Sequence, residues 1–540
     1  MLLHTLFLTL LPPLTLSQQV FQWPDHQLSA LEDGLYMQGP FLDEVRNCEG
    51  RDNTTTTAQW VRLAYHDSAT HDIADGSGGL DASIRFELDR QQNIGSGMTD
   101  SVQEISNSMN PFTSLADFMA MAVTIGVHTC GGPSIPFRYG RIDATSAGPA
   151  TVPEPQQSLD EHIQSFKRQG FSQSDMIKLV ACGHTLGGVR KVDFPLVVSA
   201  DTQARVASFD TTTQFDNVIV TQYLDGTTRD VLVVGENVTT RSDARIFGSD
   251  QNVTMQSISS PEDFSNTCRD ILQRMIETVP KTVNLVGPIE PIANKVRAYT
   301  LNTISDSPTN TSSSATNQTL KLFWEGQGTA SNSTGSVDPS EPAFDSPGGG
   351  RTINMFASFE ANAAGVNSMA AYFFSAQIPL DVGLGKFWFT ADGETVDNNG
   401  KGFVIEQLEL LHDPDRSLLF FVPPQTFDVA SVRLVFAVRS ETAAAADFSI
   451  SMDVHGSLSN AIFSEGPGVD VPVTTVQLTP DDTTNPPADG YRFFAATVQD
   501  ESDVQSVIVT VESGGQKFTL YVESTEFATH LFPTELSSEP

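Results

Sequence analysis

The chain has 540 residues, 39% of them hydrophobic, and 30 Lys plus Arg stand against 66 Asp plus Glu for a formal net charge of −36. That length exceeds one ordinary core and predicts two or more domains, while the apolar content excludes wholesale disorder. So acidic a surface repels nucleic acid and anionic membrane, and neither is expected as a partner.

Met1-Leu2-Leu3-His4, an apolar run through Leu16 and then Ser17-Gln18-Gln19 read as a secretory signal peptide over 1–17. The run falls short of the ~18 apolar residues of a membrane span, and the polar end Thr534–Pro540 predicts no lipid-anchor tail. A secreted, extracellular protein is expected, with glycosylation sequons at Asn53, Asn237, Asn252, Asn310, Asn317 and Asn332. The four cysteines, Cys48, Cys130, Cys182 and Cys268, all lie in the first half. An even count in a secreted chain suggests two disulfides, with three pairings open.

Residues 30–285 read as mainly helical. A helix over 58–68 places Arg62 and His66 one turn apart on one face. A second, apolar helix runs from an N-cap at Ser114 to His128. A third starts at Ser172 and stops at Gly183, just before His184, and a fourth spans 261–278 ahead of Pro280. The composition changes over 306–350, which is rich in Ser, Thr, Asn, Pro and Gly, with one strand at Thr319–Trp324. Beyond 351 strand signals recur at 386–390, 431–438, 448–454, 507–511 and 517–522, separated by turns such as Ser513-Gly514-Gly515. They predict an all-β sandwich or two small ones. The domains expected are therefore a signal peptide over 1–17, a helical domain over 18–290, a linker with a first strand over 291–350 and a β-sandwich-like domain over 351–540.

Two histidine segments carry the chemistry: Arg62-Leu63-Ala64-Tyr65-His66-Asp67 and Cys182-Gly183-His184-Thr185-Leu186-Gly187. A neutral imidazole can take a proton from one oxygen of a peroxide and return it to the other. A guanidinium beside it stabilises the charge that builds on the departing oxygen. His66 and Arg62 have the residue types and spacing for these tasks, and Asn93 is the candidate to hold the imidazole in one tautomer. A lone helical His is more often a packing residue than a catalyst.

On these motifs the region from about 40 to 285 resembles a secreted haem peroxidase of the plant–fungal–bacterial superfamily, nearer its secreted fungal and plant classes than its intracellular class. The resemblance implies a mainly α haem peroxidase domain binding haem b and two calcium ions. It implies His66 as acid and base, Arg62 as charge stabiliser, Asn93 as orienter of His66 and Glu87 as its upstream companion. His184 would be the axial iron ligand and Asp243, of Ser242-Asp243, its anionic partner, with Tyr65 and Phe209 against the haem. Asp67, Gly79, Asp81 and Ser83 match the family's first calcium loop, and Thr185, Asp210, Thr212 and Asp216 its second. A Cys48–Cys130 bridge is implied, leaving Cys182 with Cys268; the alternative is a buried Cys182 thiol beside the haem. Gly131-Gly132-Pro133 and Gly140-Arg141-x-Asp143 match structural landmarks of the family.

The departures narrow the substrate. Thr55, Gln59 and Arg190 stand where manganese-oxidising relatives carry carboxylates, Leu179 where ligninolytic relatives carry a surface Trp, and Asp193 where ascorbate users carry Arg. Hydrogen peroxide and a small aromatic, phenolic donor are the expected partners. Tyr65 replaces Phe or Trp and is read as a packing aromatic, a redox-active phenol being the sharper alternative. Trp324, Phe387, Trp388, Phe389, Phe420 and Phe421 are a core set or a face for polysaccharide or cell wall. The rival readings are an extracellular wall- or carbohydrate-binding protein with an inactive peroxidase-like domain, and a redox enzyme whose donor site lies in the β region.

Overall fold

The computed structural model describes residues 26–36, 48–290 apart from short gaps, the strands Leu320–Glu325 and Thr334–Val337, and most of 386–533. The expected signal peptide and most of the expected linker lie outside these residues. An N-terminal helical domain is followed by a β-rich region of sheets that are antiparallel apart from one parallel pair of strands.

The helical domain is built round Leu115–Thr129, which is buried at every residue from Leu115 to Val127. A helix apolar on all faces belongs at the centre of a bundle. Ser114 caps it as expected, accepting from the Asp117 amide at 3.1 Å. The Asp143 carboxylate accepts from the Leu115 and Ala116 amides, both at 2.9 Å. Asp117 and Arg141, each at most 1% exposed in its side chain, pair at 2.7 Å. Arg141 also donates to the Ile276 carbonyl at 2.7 Å. The Gly140-Arg141-x-Asp143 stretch is thus a structural clamp on the central helix.

Packed on this core are the distal helix Thr56–Ser68, the proximal helix Gln173–His184 and the helix Pro261–Ile276. The distal helix begins two residues earlier than its apolar spacing suggests, because Thr55 caps it by accepting from the Ala58 amide at 3.1 Å. Ser172 and Asp175 form a reciprocal capping box on the proximal helix, which runs one residue past Gly183 to end on His184 itself. Both disulfides form, Cys48–Cys130 and Cys182–Cys268. The second overturns the free-thiol alternative for Cys182: that side chain faces the Pro261–Ile276 helix and is spent there. The bridged residues are 82 and 86 positions apart, and in the chain-entropy account loops of that size stabilise by about 4–5 kcal/mol each.

In the β region every predicted strand is present, with all ends but the start at Lys386 shifted by a residue or more. Val432, Leu434, Phe436 and Val438 point inward from the strand Val429–Arg439. They share one core with Ile450, Met452 and Val454 and with Val507, Val509 and Val511. The first set belongs to a six-stranded sheet and the other two to a four-stranded one. Two sheets closing one core make a sandwich. A further five-stranded sheet contains Leu320–Glu325 and Lys386–Ala391. Gly514 and Gly515, at φ 61° and 74°, close the hairpin between the paired Ser513 and Gln516, a turn that needs left-handed backbone at both positions. Phe389 is buried, and Trp388 and Phe420 are half-buried, which suits packing better than an open binding face; the side chains of Trp324, Phe387 and Phe421 lie outside the described set. Among the described residues no helix is long and apolar enough to cross a membrane.

Candidate active site

The distal helix presents Arg62, Tyr65 and His66, all half-buried, while its remaining faces pack into the core. The His66 Nδ1–H donates to Asn93 Oδ1 at 2.8 Å, and Asn93 Nδ2 donates to the Glu87 carbonyl at 3.0 Å. Glu87 therefore serves through its backbone. Its buried carboxylate instead holds the Gly148 amide at 2.7 Å and Arg90 at 2.7 Å, anchoring the loop that positions Asn93. Burial and the neighbouring Arg62 guanidinium push the His66 imidazole down to about 3, against the opposing pull of Asn93. His66 is accordingly a neutral base with Nε2 free, since neither that atom nor the Nε2 of His184 has a hydrogen bond among the described residues.

Arg62 donates to the Ile94 carbonyl at 3.1 Å and lies over the Phe194 ring at 5.4 Å. Burial lowers it to about 10, so it stays charged at neutral pH, with Asp193 supporting and Arg190 opposing that charge. Tyr65 stacks on Phe166 at 6.0 Å with its hydroxyl toward Gln169, and burial pushes its phenol up. Its hydroxyl is buried without a hydrogen-bond partner among the described residues.

A depressed His66 has a kinetic signature. The rate of reaction with peroxide should stay flat as pH is lowered to about 4 and fall only near 3, because the neutral form persists until then. PH-jump stopped flow reads this directly, and a fall centred near the ordinary imidazole value of about 6.5 would contradict it.

On the proximal side His184 Nδ1–H donates to Asp243 Oδ2 at 2.6 Å, across 59 residues of sequence. Ser242 Oγ donates to Asp243 Oδ1 at 2.9 Å. Although burial raises Asp243, the pull of His184 and the hydrogen bonds from His184, Asp230 and Ser242 hold it below the usual carboxylate range. Phe209 stacks on the His184 ring at 4.3 Å and 13°. An added Cβ on Gly183, the residue before His184, would meet nothing within 4 Å, so the helix has open space beside it there. Two imidazoles with Nδ1 tied and Nε2 free, one backed by a carboxylate and one beside a guanidinium, form a donor set that fits a haem iron.

The expected calcium residues also gather. Asp67 accepts from the Asp81, Ala82 and Ile84 amides at 2.7–2.9 Å and from Ser83 Oγ at 3.2 Å. Asp81 accepts from the Ser83 amide at 3.1 Å, and Gly79 donates to Thr70 Oγ1 at 3.0 Å. Burial first, and then Asp81, pushes Asp67 up. In the second loop Thr185 Oγ1 donates to the Asp216 carbonyl at 2.5 Å, and Asp210 Oδ1 accepts from the Thr212 amide at 2.9 Å. Asp210 Oδ2 is buried with no donor, and burial together with Asp216 pushes this carboxyl up to about 6.

Sequence reasoning missed Asp230. It is fully buried, and one of its carboxylate oxygens lies within 4.8 Å of a ring nitrogen of His184 and of a carboxylate oxygen of Asp243. No motif marks it; a helix cap before an apolar quartet is its only local signal.

Comparison with known proteins agrees with this geometry. The peroxidase family model, described as "Peroxidase", matches residues 43–260. A "WSC domain-containing protein" of Arthroderma benhamiae is 35% identical over 340 residues, covering 61% of this chain and 46% of that protein. "L-ascorbate peroxidase 5, peroxisomal" of Arabidopsis thaliana is 38% identical over 133 residues, 24% of this chain and 47% of its own. "Cytochrome c peroxidase, mitochondrial" of Cryptococcus neoformans is 29% identical over 153 residues, 27% and 40% respectively. The chain spans about half the length of the curated relatives it matches. Residues 43–260 are a domain of the peroxidase family, and the β-rich region after it lies outside that match.

Proposed function

We propose that this chain is a secreted haem peroxidase of the fungal secreted type that cleaves hydrogen peroxide and oxidises small phenolic donors one electron at a time. The observation that carries the reading is the pair of oriented imidazoles, His66 on Asn93 and His184 on Asp243, each with Nε2 free. Haem b, when bound, supplies the iron that receives peroxide and stores its oxidising equivalents. His184 would hold it through Nε2, made more basic by Asp243. His66 Nε2 takes the proton from one peroxide oxygen and delivers it to the other, so that water leaves. Arg62 stabilises the charge on the departing oxygen, and Asn93 keeps the His66 proton on Nδ1.

Two calcium ions complete the proposal. The buried, donor-free Asp210 Oδ2 beside Asp216 supports the second site, since a divalent cation would relieve both desolvation and repulsion. The N-terminal apolar run and the two disulfides support secretion. Asp193 at the ascorbate-type Arg position, with Thr55, Gln59 and Arg190 offering no manganese carboxylates, supports a neutral phenol.

The test is steady-state turnover of 2,6-dimethoxyphenol, ascorbate and Mn(II) by the haem-loaded full chain with hydrogen peroxide. Saturable oxidation of the phenol alone is expected. Preference for ascorbate or Mn(II) would overturn the donor assignment, and no turnover of any donor would favour a binding protein with an inactive peroxidase-like domain.

A further inference from the structure

Asp230 is a buried acid that the proposed reaction does not use. Its Oδ1 accepts from the Leu232 amide at 2.8 Å, and its own amide donates to Thr228 Oγ1 at 3.2 Å, so the backbone fixes the carboxyl group firmly. Its Oδ2 is shut off from solvent and receives no donor. The group it faces is the Asp243 carboxylate: an oxygen of each lies within 4.8 Å of the other, and both side chains are buried. Two buried carboxyl groups this close repel when both are ionised, and a proton on one of them relieves both the repulsion and the donor-free oxygen. The partners decide which. Asp243 already accepts from His184 Nδ1 and Ser242 Oγ, as a carboxylate does. Asp230 has only amide support and faces the negative charge of Asp243.

We propose that Asp230 is a positioning residue of the proximal site: its neutral carboxyl group donates a hydrogen bond from Oδ2 to Asp243, fixing that carboxylate and limiting the charge it passes to His184. The inference rests on the proposed role of His184 as iron ligand. Asp243 makes the His184 ring more basic by drawing on its Nδ1–H. A neutral donor on the far side of Asp243 spreads that negative charge and weakens the draw, as a hydrogen bond to the charged form does in any such chain. The site would thus contain a three-member relay, Asp230 to Asp243 to His184, in which the outer acid sets how strongly the inner one acts.

Asp230→Asn keeps a neutral donor of the same shape, and Asp230→Ala removes it. In haem-loaded full-length protein, Asp230→Ala should raise the iron–histidine stretching frequency of the ferrous form and lower the Fe(III)/Fe(II) potential. Asp230→Asn should stay close to wild type in both. Infrared spectra of the haem-free protein supply a readout independent of the cofactor: a buried protonated-carboxyl band, sensitive to deuterium exchange, should be present in wild type and absent in Asp230→Asn. Its absence from wild type overturns the inference, as does a potential that rises in Asp230→Asn because a real anion has been neutralised. An Asp230→Ala protein with unchanged stretch and potential overturns it equally. Should the wild-type protein take up haem without a histidine-ligated signature while the carboxyl band is present, the ligand reading fails and the hydrogen bond from Asp230 stands.

Discussion

Replacing His66 with Ala should slow the reaction of the haem-loaded protein with hydrogen peroxide by about 10²–10⁴-fold, the usual contribution of a positioned acid–base group. Among the described residues no second titratable group stands ready to replace it. Asn93 offers the ring an acceptor and no proton-transfer capacity, Arg62 remains charged near neutrality, and the Tyr65 phenol faces Gln169 and Phe166. The loss should appear in the bimolecular rate with peroxide and leave haem uptake intact, because the proximal pair His184–Asp243 is untouched. Arg62→Leu should give a smaller loss in the same step, since it removes charge stabilisation and leaves the base. A His66→Ala protein that reacts with peroxide at the wild-type rate would show that proton transfer does not run through this ring.

The second large effect concerns stability. Asp117→Ala should destabilise the helical domain by about 3–5 kcal/mol, because it leaves the Arg141 guanidinium buried without its counter-charge. Asp117 does more than pair. Its Oδ2 holds the Gly140 amide at 2.8 Å and so binds the 140–143 stretch to the central helix. Arg141 keeps its bonds to the Ile276 and Arg138 carbonyls, which satisfy donors without neutralising charge. Converting Arg141 to Met in the same protein should recover part of the loss, as replacing a whole buried pair costs far less than breaking one. Urea unfolding followed by helix signal measures both variants. A single-variant loss below about 1 kcal/mol would mean that water reaches Arg141 and the clamp is weaker than its burial suggests.

What could be read from the chain depended on the range of each interaction. Arg62 and His66 were legible because one helical turn separates them and helix geometry needs no further information. The sandwich was legible from period-two alternation in 431–438 and 507–511, which is a local property of a half-buried strand. The parallel pairing of Leu418–Phe421 with His530–Pro533 was not, since nothing in either run specifies a partner more than a hundred residues away. The His184–Asp243 contact spans 59 residues and could be placed only through a family resemblance. Asp230 had neither route: its importance comes from being buried against another acid, and burial of a loop aspartate leaves no pattern in the sequence. The helix ends shifted for a similar reason, because Thr55 caps the first helix and the second runs on through His184 to a C-cap at Thr185, which apolar spacing does not record.

The central claim is that one haem sits between an imidazole that holds it and an imidazole that moves protons. The direct measurement is stopped-flow absorption of the full chain loaded with haem b, mixed with hydrogen peroxide, for wild type and His184→Ala. Wild type should show a histidine-ligated Soret band that shifts rapidly in proportion to peroxide concentration, and His184→Ala should lose that band. A wild-type chain that takes up no haem, or whose band ignores both peroxide and the loss of His184, would contradict the account.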